Sequence, residues 1–115
     1  VRRGVPGAAG LTAVLLAAAP GAAADVQERL ALDNACVRVT LLTYPSGADS
    51  GLHLNPEPEL AIVVEGTLTL VTSAGKRPYG PGQVAYLPTG TVHTALNETG
   101  RPVRFSALNL RRCAP

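Results

Sequence analysis

Turn-forming residues recur so often after residue 25 that no long helix can be drawn through this chain. Pro45-Ser46-Gly47, Glu65-Gly66, Ser73-Ala74-Gly75, Gly80-Pro81-Gly82 and Pro88-x-Gly90 each interrupt it, glycine by reaching positive φ and proline by removing a backbone donor. Short strand-like stretches lie between these breaks. Over 36–44, Val37, Val39 and Leu41 point one way and Arg38, Thr40 and Leu42 the other, the period of two of a strand with one covered face. Residues 60–64 (LAIVV) are apolar and β-branched, a buried strand, and 67–72 (TLTLVT) alternate again after the Glu65-Gly66 turn. Residues 51–55, 83–87, 91–96 and 103–110 complete the series, and 25–32 form either a turn of helix or a short leading strand. Pro56 and Pro58 rule out regular ladder pairing around Glu57. The fold class this predicts is all-β, a sandwich or barrel of about eight short strands.

The first two dozen residues read differently. Arg2 and Arg3 give a positive start, 11–19 (LTAVLLAAA) is almost wholly apolar or small, Pro20-Gly21 breaks any helix, and Ala22-Ala23-Ala24 precedes Asp25. This is the layout of a secretory signal peptide over 1–24, cleaved after Ala24 to leave a single domain over 25–115. The apolar run is shorter than the roughly 20 residues that span a bilayer. The expected location is therefore periplasmic or secreted, with no membrane attachment after cleavage. Arg2 and Arg3 also account for the whole formal charge of +2, so the remaining domain is near neutral. No basic patch calls for nucleic acid, and the low aromatic content argues against stacking of bases or extended sugar chains.

A domain this small has a thin core margin. Cys36 opens the first strong strand and Cys113 follows the last. In an oxidising compartment two cysteines tend to pair, and if those strands run antiparallel side by side the sulfurs meet. Two free thiols, or pairing between chains, are the alternatives.

The chemistry-bearing residues fall in two spaced patterns. The chain spells Gly47-x5-His53-x-Asn55-x3-Glu59-x6-Gly66 and then Gly82-x5-Pro88-x-Gly90-x2-His93-x3-Asn97, and His53 and His93 are its only histidines. In a strand, i and i+2 share a face, so His53 and Asn55 point into one space. Gly66 allows a tight hairpin after Glu59, Pro88-x-Gly90 makes a corner before the strand carrying His93, and Asn97 is placed to bond a nearby backbone group.

These two patterns resemble the two sequence motifs of the cupin superfamily, directly over 47–97 and by strand order over the whole of 25–115. The resemblance implies a single-domain jelly-roll, or double-stranded β-helix, barrel. It maps His53, Glu59 and His93 onto metal ligands. Where the family pattern has a further histidine this chain has Asn55, whose amide oxygen is a poorer ligand for a borderline metal and makes a weak fourth position. Two imidazoles and a carboxylate can hold a divalent transition metal, without distinguishing iron, manganese, nickel, copper or zinc. The alternatives are a metal-free pocket in which the histidines hydrogen-bond a small, carbohydrate-like ligand, and a pair of purely structural histidines. The expected partner is a small molecule, and the resemblance implies a homodimer. Enzyme, binding module and decayed remnant all fit, and no residue is assigned a catalytic role, because this fold hosts many chemistries. Among other polar residues, Tyr86 reads as wall or surface, Glu65 and Arg104 as solvated, and Phe105 as core.

Overall fold

The structure, a computed structural model, describes residues 25–113. The signal peptide expected over 1–24 lies outside the described residues. Within them the chain runs β1 Gln27–Asp33, β2 Val37–Tyr44, β3 His53–Leu54, β4 Glu59–Glu65, β5 Leu68–Thr72, β6 Gly75–Tyr79, β7 Val84–Leu87, β8 Val92–Leu96 and β9 Val103–Leu110, with no helix. All named pairings are antiparallel. One sheet has the order β1-β2-β9-β4-β7 and the other β3-β8-β5-β6. This is the expected all-β jelly roll, two sheets facing each other across a shared interior.

Of the two readings of 25–32, the leading strand is the one found, with Gln27–Asp33 laddered onto β2 through a register shift between Leu30 and Leu32. One element differs from the sequence expectation. Gly75–Tyr79 is a strand that the alternation did not mark. Its sequence GKRPY is charged and contains Pro78, but it lies at the edge of its sheet, where a residue without a backbone donor is tolerated.

The pleat assigns the faces. On β9, Val103, Phe105 and Ala107 are buried while Arg104, Ser106 and Leu108 face out. Register carries that alternation to β2 and β4, so Thr40, Leu42 and Tyr44 face the interior together with Glu59, Ala61 and Val63. The core is Tyr44, Val63, Leu68, Leu70, Leu87, Val103 and Phe105 with smaller alanines between. Tyr44 and Phe105 meet edge to face at 5.2 Å, the favoured aromatic geometry.

Gly66, between β4 and β5, has φ +81°, and a Cβ there would stand 2.5 Å from the Pro102 carbonyl oxygen. Only glycine allows the hairpin to tuck against the start of β9. At the other end, Cys36 and Cys113 are joined in a disulfide with Cα atoms 4.7 Å apart. The bridge follows from the β2–β9 pairing, which sets Leu110 opposite Val37. Arg111 reinforces this end through ion pairs with Asp33 and Glu57.

Candidate functional site

Strand register brings the two histidines together. β3 pairs with β8 so that His53 lies directly opposite His93, and cross-strand partners on one face are in side-chain contact. Their ring centroids are 4.2 Å apart. The short β3 is placed by the Pro88–Gly90 corner: Gly90 N donates to the Asn55 carbonyl at 3.0 Å, and Thr91 N to the Pro88 carbonyl at 3.1 Å. Glu59 comes from the facing sheet, at the start of β4 and opposite Asn109 of β9. His53, Glu59 and His93 thereby line one cavity of about 390 Å³.

Each imidazole is fixed by its own strand. His53 Nδ1 donates to the Gly51 carbonyl at 3.0 Å and His93 Nδ1 to the Thr91 carbonyl at 2.9 Å. A carbonyl only accepts, so Nδ1 carries a hydrogen in both rings, and in the neutral imidazole each Nε2 carries the lone pair. His93 is 2% exposed, and among the described residues no group bonds either Nε2. A buried nitrogen lone pair without a partner is an unusual cost for a folded protein. It is also the arrangement of metal-ligating histidines, whose other nitrogen is held by a backbone carbonyl or carboxylate.

Glu59 is buried at the floor of the same space. Burial, above all, holds its carboxyl above the ordinary carboxylate range, and His93, His53 and the Asn55 hydrogen bond pull it back in that order. Asn55 does not line the cavity. Its side-chain nitrogen donates to Glu59 Oε1, so its observed role is to fix the carboxylate. As the side chains stand, no three His, Cys, Asp or Glu residues among the described residues are grouped to hold a metal ion. The two imidazoles are together, and the carboxylate is engaged by Asn55.

Several wall residues were not marked in the sequence. Tyr44 and Thr40 reach the cavity from β2, Glu28 from β1, Asn109 from β9, and Asp49 and Ser50 from the loop before β3. Burial, foremost, and then Glu28 push the Tyr44 phenol above its ordinary value, with Glu59 and Asp49 adding to this and the Ser50 hydroxyl opposing it. The inward alternation of β2 was visible in the sequence, but which of its faces turns inward needed the pairing with β9. Tyr86, read as wall or surface, is exposed and lines a separate cleft near β6. Glu65 and Arg104 form an exposed ion pair at 3.1 Å, and Phe105 is core, as expected.

Asn97 secures the loop that carries Asp49 and Ser50. It is 1% exposed, and its side-chain nitrogen donates to the Tyr44 and Arg101 carbonyls at 3.0 and 2.7 Å. Its side-chain oxygen accepts from Thr99 N and Thr99 Oγ1. Its backbone exchanges bonds with Gly47 N and the Ala48 carbonyl.

The sequence model of the cupin-domain family matches residues 40–109. Solved structures share the fold. A cupin superfamily protein from Desulfitobacterium hafniense superposes with a TM-score of 0.71 at 14% identity, over 76% of this chain and 79% of its own. An RmlC-like cupin family protein with a double-stranded β-helix fold from Methanocaldococcus jannaschii gives 0.71 at 16%, over 78% and 84%. A protein from Silicibacter pomeroyi, described as a sugar phosphate isomerase from a cupin superfamily, gives 0.60 at 31%, over 67% of this chain and 52% of that one. None of the curated proteins matches the chain.

Proposed function

Because this chain belongs to the cupin family, we propose that its cavity is a small-ligand site built around a divalent metal ion held by His53 Nε2, His93 Nε2 and the Glu59 carboxylate. The observation that carries this reading is the pair of Nε2 lone pairs, one of them fully buried, in rings that face each other at 4.2 Å with their Nδ1 atoms already committed. The donor set suits a borderline divalent ion. Holding it requires the Glu59 carboxylate to share itself between the ion and the Asn55 amide. Such an ion would supply Lewis acidity to a ligand oxygen. The chain's own residues position the rings, shield them from bulk water behind Leu68, Leu70 and Phe105, and offer Tyr44 and Asn109 as hydrogen-bonding groups.

A second reading keeps the cavity and omits the ion. It is favoured by the Asn55–Glu59 bond and by the absence of a three-donor group among the described residues. Glu59 and the two imidazoles then accept hydrogen bonds from a neutral, carbohydrate-like ligand. A sugar phosphate, the substrate class in the name of the Silicibacter pomeroyi protein, does not suit either reading, because no Lys or Arg is among the described residues lining the cavity.

Elemental analysis and calorimetric titration of protein made without a histidine tag separate the two. Under the metal reading each chain carries close to one divalent ion, His93→Ala abolishes it, Asn55→His tightens it, and binding weakens in acid because protons and the ion compete for the same donor atoms. Folded protein that ignores added iron, manganese, nickel, copper and zinc removes the metal reading. A co-purifying organic ligand found by mass spectrometry then supports the second.

The Cys36–Cys113 bridge supports a periplasmic or secreted location, where disulfides persist. For the homodimer, the outer face of the five-stranded sheet is the surface we assign. Register aligns Leu32, Val39, Leu108, Leu60 and Tyr86 in one row across it, with Leu41, Ile62 and Val84 in the next. An exposed sheet face this apolar is the kind that a second copy covers.

A further inference from the structure

The charges around the cavity narrow what can enter it. Glu28 and Asp49 both line it and are solvent-exposed, and Glu59 lies deeper. Both histidines commit Nδ1 to a backbone carbonyl, so Nε2 is the nitrogen each ring can offer to a ligand. No described wall residue is a Lys or Arg. Two cations share the inward faces beyond the wall: Arg38, one inward position past Thr40 on β2 with Asp33 as its ladder partner, and Arg77 of β6, the ladder partner of Leu70, which stacks over the Tyr79 ring; neither lines the cavity. The remaining wall is apolar or uncharged, including Tyr44, Phe105, Thr40 and Asn109. The carboxylates are not an isolated acidic cluster. They surround a cavity into which the 2%-exposed His93 presents an imidazole whose Nε2 has no partner among the described residues. Low-dielectric walls lined by one sign of charge focus the field in the opening.

We infer that the cavity is cation-selective: it admits amine-bearing or uncharged small molecules and rejects phosphates and carboxylates. This rests on reading the cavity as the ligand site, but not on whether a metal is bound there. Three carboxylates against one divalent ion still leave net negative charge. The loaded and metal-free forms therefore share the preference, and the same opening favours entry of the ion itself. Burial, foremost, and then Glu28, Glu59 and Asp49 hold the Tyr44 phenol above its ordinary value, so all three carboxylates are felt inside the cavity.

The test measures the field without needing the native ligand. Amide relaxation enhancements are recorded with two nitroxide probes alike in size, one carrying an amine and one a carboxylate, at the amides of Ser50, His53 and Ala95. A potential of roughly one kT in magnitude at the opening gives a cation-to-anion ratio of about 7. In Glu28→Gln/Asp49→Asn the ratio falls toward one. Asn at 49 keeps the side-chain oxygen that Gly51 N donates to, so the loop is retained, and an unchanged spectrum away from the cavity confirms it. A ratio of one or less in the native protein overturns the inference. So does saturable binding of glucose 6-phosphate or citrate that shifts those amides. Protein that lacks metal on elemental analysis yet shows the expected ratio loses the metal reading and keeps this one; protein that binds metal with a ratio of one does the reverse.

Discussion

Replacing Asn97 should unfasten the cavity from the far side of its wall. The side chain is buried and satisfies both its nitrogen and its oxygen: two bonds to the Tyr44 and Arg101 carbonyls and two from Thr99. In Asn97→Ala the Tyr44 carbonyl, on a buried residue, loses its side-chain donor, which costs about 1–3 kcal/mol. The bonds at Thr99 and Arg101 lie nearer solvent, where water replaces part of what is lost, and together they add about 1 kcal/mol. The sum is roughly 3 kcal/mol, a lowering of about 12–24 °C in Tm for a domain of this size. Asn97→Asp is the sharper variant. It keeps the shape and the acceptor but sets a second oxygen against two carbonyl oxygens, so its loss grows as pH rises through the carboxyl's ionisation. The assay is urea denaturation with the disulfide intact, at pH 5 and pH 8. Because the same side chain holds the carbonyl of Tyr44, whose ring lines the cavity, amide shifts at the cavity should accompany the lost stability. An Asn97→Ala protein within about 0.5 kcal/mol of the parent would refute the reasoning, since substitutions away from such features have effects of that size.

Gly66→Ala should lose at least about 2 kcal/mol in denaturant midpoint analysis, since it combines a left-handed backbone with a Cβ 2.5 Å from the Pro102 oxygen; a neutral outcome would mean that the hairpin can shift away from β9. For Glu59 the folded carboxyl ionises above its unfolded value, so the stability it contributes is full below about pH 4.5 and is lost as pH rises through the folded value. In chelator-treated protein, Glu59→Gln should flatten this part of the Tm-versus-pH curve and match or exceed the parent at pH 7; an unchanged curve refutes the burial argument. Reducing Cys36–Cys113, separated by 77 positions, should remove about 4–5 kcal/mol by the chain-entropy estimate, measured by denaturation with and without reductant. Tyr86→Lys on the outer sheet face should give a monomer by light scattering without altering metal content; a persistent dimer would move the interface elsewhere.

The fold was legible because its determinants are local. Turn residues at short spacing and alternation over 37–44 and 103–110 marked most of the strands and excluded a long helix, and Gly66 and the Pro88–Gly90 corner behave as their chemistry requires. β6 escaped because an edge strand need not be apolar or free of proline, and GKRPY carries no alternation. The disulfide was legible only conditionally, since cysteine spacing gives no pairing until β2 and β9 are known to be neighbours. Glu28, Tyr44 and Asp49 were invisible as site residues for a related reason. A period of two says that two faces exist, and only long-range register says which one borders the cavity.

Asn55 shows how a position can be read correctly in place and differently in action. Two residues from His53 and just past the short β3, it is expected from the sequence to offer its oxygen alongside the imidazole. An amide has two ends, however, and four positions on stands Glu59, an acceptor with no donor of its own when ionised. Placing the nitrogen against that oxygen satisfies a buried carboxylate, which an inward-turned amide oxygen would instead repel. A histidine at this position would have a ring nitrogen to spare for the cavity; the asparagine has its donor committed and its acceptor turned away from Glu59. The substitution therefore changes the site from four prospective donors to two imidazoles and a carboxylate whose direction is set by a neighbour. Under the proposed metal reading, an ion would compete with the Asn55 amide for Glu59, and Asn55 would tune affinity through the carboxylate rather than by ligation.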